Sequence, residues 1–253
     1  MSEAAFFQVL LYLMLVLSGV VFVVLFFISA PYGRHIRRGW GPALRSQFSW
    51  ILMEAPAALV FAIFYFIGPN RFTLPSIFFL IIWEFHYLYR AFLYPWFIRK
   101  SVKSMPISVV LMGITFNLCN GYLNGRYLFT YANQYITAWL LDPRFIAGVA
   151  LFLLGIVINR QADNTLRKLR IPGDMSYQIP MGGLYRWISS PNYLGEIIQW
   201  LGWALATWSW VGLAFALWTL ANLVPRAWFH HQWYRKQFAD YPPRRRALLP
   251  GIW

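Results

Sequence analysis

The stretch ISSPNYLGEIIQWLGWALATW, Ile188 to Trp208, is apolar enough to lie in lipid, yet it carries Asn192, Glu196 and Gln199. Spacings of four and three put these residues on one side of a helix. A carboxylate at membrane depth is expensive and marks a functional site by default. A second one, Glu54, stands in WILMEAPAALV, shortly before Pro56. Neither Glu54 nor Glu196 has a basic residue three or four positions away, so a partner has to come from another helix or a ligand. A carboxyl group kept from water can retain its proton and donate a hydrogen bond. Paired with a tyrosine hydroxyl, it can hold a carbonyl oxygen on which negative charge grows. Tyr87, in WEFHYLYRAFLYPW, is the candidate phenol for Glu54. Tyr94 follows it two turns up one face, and Glu84 and Arg90 flank it. A fourth polar run, INRQADNTLRKLR, sets Asn159, Asp163, Arg167 and Arg170 at helical spacing.

Blander roles fit several of these residues. Glu84, His86 and Arg90 are read first as polar glue between helices. Arg167 and Lys168 are read as solvated or lipid-facing, and Trp83 and Trp96 as anchors at the membrane interface. The one cysteine, Cys119, excludes an internal disulfide and is read as a small buried apolar residue. His35, His86, His230 and His231 show no metal-binding spacing, and no metal is expected.

The elements that must position these groups are membrane helices. Of 253 residues 59% are hydrophobic, 20% aromatic and only 12% charged, and the mean hydropathy is +0.49. A soluble domain of this size carries about twice that charge. The expected fold is an all-α integral membrane protein of one polytopic domain, residues 1–253, with seven transmembrane helices near 5–29, 49–68, 74–95, 106–126, 145–163, 190–207 and 210–233. The first run has no basic stretch before it and is too long for a signal-peptide core. With the N-terminus outside, the cytoplasmic pieces hold 18 Lys and Arg and the outer pieces three, Arg71, Arg126 and Arg144, with Arg90 inside a span. That bias predicts the N-terminus outside and the C-terminus in the cytoplasm. The net charge of +14 is then topogenic or faces a phosphate-bearing ligand; no nucleic acid is expected. The polar loop after span 5 and the tail YRKQFADYPPRRRALLPGIW fall on the same face and could cap a pocket.

The blocks MEAP, FHYLYRAFLYP, GYLNGRYL, GIVINRQADNTLRKLRIPGDMSYQIPMGGLYRWISSPNYLGEIIQWLGWALATWS and FHHQWYRKQFADYPPRRRALLPGIW resemble the membrane steroid 5α-reductases, over nearly the whole chain beyond the first helix. The likeness looks closest to the vertebrate type 2 enzyme and suggests a bacterial relative. The resemblance implies seven helices, NADPH as cofactor and reduction of the 4,5 double bond of 3-oxo-Δ4-steroids. It implies that Glu54 and Tyr87 bind the steroid 3-carbonyl. It further implies that Tyr32, Asn159, Asp163, Arg170, Tyr177, Asn192, Glu196, His230, Tyr234 and Arg245 surround the cofactor. Met53 stands where the vertebrate enzyme has glutamine, FIRKSVKS differs in its basic spacing, and Glu84 has no acidic counterpart. The expected partners are a steroid or related lipid and membrane lipids. The expected state is a multi-pass monomer, in the inner membrane of a bacterium or the endoplasmic reticulum of a eukaryote.

Three other readings compete. The tail also resembles membrane carboxyl methyltransferases that use S-adenosylmethionine. A reductase of another enoyl lipid or sterol bond would share fold and cofactor. A transporter or lipid-binding scaffold could use the intramembrane acids as a proton path, although the two matching halves with broken helices are not seen.

Overall fold

The computed structural model describes residues 1–29, 31, 35, 39–97, 104–169 and 176–253. Almost everything regular in it is helical, because chain that enters lipid must satisfy its own backbone hydrogen bonds. Five helices are long and apolar enough to cross a membrane: Glu3–Phe27, Ser46–Ile67, Leu74–Phe97, Ile107–Tyr131 and Pro143–Lys168. They mark a multi-pass membrane protein. The sixth and seventh expected spans are also helices, Pro191–Thr207 and Trp210–Gln237. The first of these has only 17 residues. The second holds Pro225 and ends on Arg235 and Lys236. The chain falls into two compact units, Met1–Tyr12 with Ala30–Asp142, and Leu13–Ser29 with Pro143–Trp253; helix α1 (Glu3–Phe27) contributes to both.

In the first unit, α2 (Ser46–Ile67), α3 (Leu74–Leu88) and α5 (Ile107–Arg126) carry the core. The helix α3 runs through a π turn, Tyr89–Leu93, into the short α4 (Tyr94–Phe97). A second π turn, Tyr127–Tyr131, ends α5. The strands β1 (Ala43–Arg45) and β2 (Ser104–Pro106) pair antiparallel and set the starts of α2 and α5 side by side. Thr73 starts α3 by accepting a hydrogen bond from the Ser76 amide at 3.3 Å, with Pro75 in the first turn. Pro56, inside α2, removes one backbone donor from the helix. Phe61 stacks on Trp83 at 4.4 Å and meets Phe129 edge-on at 5.0 Å. Trp83 is fully buried and its Nε1 donates to the Ala57 carbonyl at 3.1 Å. It is therefore a core residue joining α3 to α2, not the interface anchor its place in the sequence suggests. Trp96 is 73% exposed, as an anchor would be.

In the second unit, α6 (Pro143–Lys168) lies against α7 (Pro191–Thr207) at backbone contact. Gly148 and Gly155 on α6 oppose Gly202 and Gly195 on α7, and a Cβ on any of the four would overlap the facing main chain. Small residues at these steps are what permits such an approach. Trp208 turns the chain in the left-handed region (φ +43°). Ser209 then starts α8 (Trp210–Gln237), its Oγ accepting from the Gly212 amide at 3.1 Å. The loop before α7 and the C-terminal tail are hydrogen-bonded: the Ser189 amide donates to the Arg246 carbonyl at 2.8 Å, and the Arg246 amide to the Trp187 carbonyl at 2.9 Å.

Candidate functional site

Glu54 finds its partner on another helix. Arg90 Nε stands 3.4 Å from Glu54 Oε1, and both side chains are largely buried, 15% and 12% exposed. The π turn that carries Arg90 shifts the register of α3 by one residue there, which re-aims side chains beyond it. The guanidinium lies over the Trp50 ring at 4.6 Å and the Tyr94 ring at 4.8 Å. Arg90 thus faces a carboxylate with one atom and two aromatic rings with its plane. The expected glue of Glu84, His86 and Arg90 takes another form. Arg90 goes to Glu54, whereas Glu84 Oε1 is buried with no hydrogen-bond partner among the described residues.

Tyr87 is 2% exposed and its ring packs on Trp83 at 4.8 Å and on His86 at 5.0 Å. Its hydroxyl accepts from Asn120 Nδ2 at 3.4 Å. One turn earlier on α5, Asn117 Nδ2 donates to the Met53 carbonyl at 2.6 Å. Residues three apart on a helix share a face. Adjacent steps of α5 therefore hold the backbone next to Glu54 and the hydroxyl of Tyr87, and Arg90, one turn after Tyr87, closes on Glu54 itself. Both residues lie in the first unit, Glu54 against Arg90 and Tyr87 against Asn120. The asparagines were missed as site residues. Their signal was present: Asn117, Asn120 and Asn124 recur at spacings of three and four in an apolar span, and they are 6%, 2% and 0% exposed.

The second unit holds most of the remaining candidates. Asn159 Nδ2 donates to the Asn192 carbonyl at 2.9 Å, and Asn192 Nδ2 to Asp163 Oδ1 at 3.4 Å. Arg160 sits within electrostatic reach of Asp163 and Glu196. These groups meet because the α6–α7 glycines let the two helices touch one turn away: a Cβ on Gly195 would strike the Asn159 amide. Gln199 is buried at the same contact. On α8, His230 lies 5.3 Å from the Tyr193 ring, and Arg226 Nε donates to the Tyr193 hydroxyl at 2.8 Å. Tyr234 is buried and stacked on Tyr241 at 5.3 Å. Tyr177 meets Trp233 edge-on at 4.8 Å. Arg245 is 2% exposed. Its Nη1 donates to the Pro180 carbonyl at 3.1 Å, its Nη2 lies 3.3 Å from Met181 Sδ, and its plane covers the Tyr241 ring at 4.9 Å. Tyr32 and Arg170 lie outside the described residues.

A buried hydroxyl ties the tail to this unit and was also missed. Ser189 Oγ is 2.7 Å from His231 Nδ1, 2.7 Å from the Tyr241 hydroxyl and 3.0 Å from the Arg246 carbonyl. A carbonyl only accepts, so the serine proton goes to Arg246. Tyr241 and His231 then both donate to Ser189, which puts the histidine proton on Nδ1. Burial pushes the Tyr241 phenol up from its usual pKa of 10, and the neighbouring Ser189 hydroxyl and Arg245 guanidinium pull it partly back.

The donor set of this unit suits a dinucleotide with a reduced nicotinamide. Amides and carboxylates from α6 and α7 match a carboxamide, which both donates and accepts. Two buried polar atoms, Ser190 Oγ at the start of α7 and Arg245 Nε, have no hydrogen-bond partner among the described residues, as groups awaiting an anionic ligand would. Among the described residues no cluster of His, Cys, Asp or Glu could hold a metal.

Residues 103–253 match the family model described as 3-oxo-5-alpha-steroid 4-dehydrogenase. A relative called steroid 5-alpha-reductase DET2 from Gossypium hirsutum is 41% identical over 100% of this chain and 99% of its own. The 3-oxo-5-alpha-steroid 4-dehydrogenase 1 of Bos taurus is 39% identical, again over 100% and 99%. The human protein of the same name is 36% identical over 88% of this chain and 86% of its own.

Proposed function

Since the chain belongs to the 3-oxo-5α-steroid 4-dehydrogenase family of oxidoreductases, we propose that it reduces the 4,5 double bond of a 3-oxo-Δ4-steroid with NADPH, as a seven-helix monomer with its N-terminus outside. When bound, the cofactor would supply a hydride to C5. Negative charge would then move through the enone to the C3 oxygen until C4 takes up a proton from solvent, and the protein's task is to hold that oxygen while the charge is on it. Tyr87 donates to it. Glu54 joins when it carries a proton, and Arg90 competes for the same carboxyl. Asn159, Asp163, Asn192 and Glu196 orient the nicotinamide end so that one face of the ring is presented. Tyr32, Arg170, Tyr177, His230, Tyr234 and Arg245 contact the rest of the cofactor or hold the loops around it.

The observation that carries this reading is a carboxyl and a phenol in one helical unit, Glu54 largely buried against Arg90 and Tyr87 buried with its hydroxyl on Asn120. One donor lost to a developing oxyanion typically costs on the order of 10²–10³ in rate. A structural ion pair alone would not need the phenol.

The test is to incubate membranes holding the protein with NADPH and testosterone and to identify the product. A 5α-reduced steroid, formed with stoichiometric NADPH oxidation, is expected. Steroid recovered unchanged, with S-adenosylmethionine bound in place of NADPH, would replace this reading with the methyltransferase. NADPH oxidised only with another enoyl lipid would keep the cofactor and replace the substrate.

A further inference from the structure

We propose that Asn120, oriented by Asn124, is a positioning residue that fixes the direction of the Tyr87 hydroxyl proton. The inference deepens the reading of Tyr87 as donor to the steroid ketone and rests on it.

A phenol oxygen can accept one hydrogen bond and donate another, and its proton rotates about the C–O bond to suit its neighbours. A donor aimed at the oxygen excludes one direction for that proton. Asn120 Nδ2 is such a donor, 3.4 Å from Tyr87 Oη. Its own amide could face either way, since oxygen and nitrogen occupy similar volumes. Asn124 decides the matter. Its Nδ2 donates to Asn120 Oδ1 at 2.9 Å and to the Asn120 carbonyl at 3.1 Å. With Oδ1 taken as acceptor on one side, Nδ2 has to point to the other side, toward Tyr87. The polarity of the relay is therefore Asn124 to Asn120 to Tyr87, and each step hands on a proton-bearing side to the next acceptor. The Tyr87 proton is left for an acceptor other than Asn120.

The setting suits this role. Asn120 and Asn124 are 2% and 0% exposed, so water does not scramble the relay. A buried amide is costly without partners. Packing alone would be served by leucine in a span of this hydropathy. Asn117, on the same face, donates to the α2 backbone at Met53, so this face of α5 is tied to α2 one turn from Asn120.

The experiment is a double-mutant cycle on the full-length protein in membranes, with NADPH and testosterone. The parent, Asn120→Leu, Tyr87→Phe and the double variant are compared under single turnover. Asn120→Leu is expected to lower kcat on the order of ten-fold, with the KM for NADPH unchanged. In the Tyr87→Phe background the same change is expected to alter kcat less than two-fold, since no proton remains to direct. Equal losses in both backgrounds would make Asn120 a packing residue and overturn the inference, with the Tyr87 reading intact. Full turnover in Tyr87→Phe alone would overturn the reading of Tyr87, and with it the inference. If Asn120→Leu does not fold, Asn124→Leu takes its place in the cycle. A several-fold loss in kcat confined to the Tyr87 background supports the relay, and an undiminished kcat overturns it.

Discussion

Arg90 reaches Glu54 from a π turn, at 3.4 Å, and no residue one turn from Glu54 on its own helix could do so. The pair is mostly withdrawn from water, so removing one partner leaves the other as an uncompensated charge. Arg90→Met is expected to destabilise the protein by about 3 kcal/mol. Adding Glu54→Gln is expected to restore most of that loss without restoring the parent's turnover, because the carboxyl has a second task. Thermal melts and turnover measured on the same detergent-purified samples check both halves. A double variant as active as the parent would confine the pair to structure.

Tyr87→Phe keeps the ring that packs on Trp83 and deletes the hydroxyl alone. Turnover is expected to fall on the order of 10²-fold, while NADPH affinity, read by fluorescence titration, stays within about two-fold. A loss that fell on cofactor affinity would move Tyr87 out of the steroid end of the reaction.

The sequence made the helices legible because their apolar runs are long and the interruptions few. Each of the seven expected segments is a helix in the structure, displaced by at most a few residues at its ends, save where α6 and α8 run on past their apolar stretches to Lys168 and Gln237. The polar positions worth asking about were equally visible, since a glutamate in lipid has no neutral explanation. What could not be read was pairing. Nothing near Glu54 in the chain points to Arg90, because the π turn that re-aims it leaves no mark on the apolar pattern. Trp83 looked like an interface anchor because hydropathy reports how apolar a residue is, not whether lipid or protein covers it. The asparagine face of α5 was a regular 117, 120, 124 pattern, and uncharged amides weigh little on scales that register charge.

Gly155 and Gly195 face each other's backbone across α6 and α7, beside Asn159. Gly155→Leu would force these helices apart and carry Asn159 away from the Asn192 carbonyl. The expected cost is about 1–3 kcal/mol or more of stability, with a marked loss of NADPH binding. Gly19→Leu serves as the control, because a Cβ there meets nothing within 4 Å. Equal NADPH affinity in the two variants would separate the close approach from cofactor binding.

The family resemblance puts Arg245 beside the cofactor. At 2% exposure, with Nη1 on the Pro180 carbonyl and its plane on Tyr241, it is sheltered from mobile ions. Arg245→Ala is expected to weaken NADPH binding by an amount that is similar at low and high salt, since buried charges are screened little. Titrations across a tenfold range of salt read this directly. A mutational loss that shrank steeply with salt would place the guanidinium in open solvent.

Tyr241 holds its proton more firmly in the folded protein than a free tyrosine does, because burial outweighs the opposing pull of the Ser189 hydroxyl and the Arg245 guanidinium. The unfolded chain therefore releases that proton first as the pH rises. The contribution of Tyr241 to stability is complete below the unfolded pKa of about 10 and is lost between that pH and the higher folded value. The melting temperature is expected to fall above pH 10, with part of the fall removed in Tyr241→Phe. The same substitution takes from Ser189 one of its two donors and leaves the His231 Nδ1 proton as the other. Below pH 10 the variant is therefore expected to be less stable than the parent by about 1 kcal/mol, and the two melting curves to converge as the pH rises. Parallel curves across the whole range would show that the phenol contributes packing and no proton linkage.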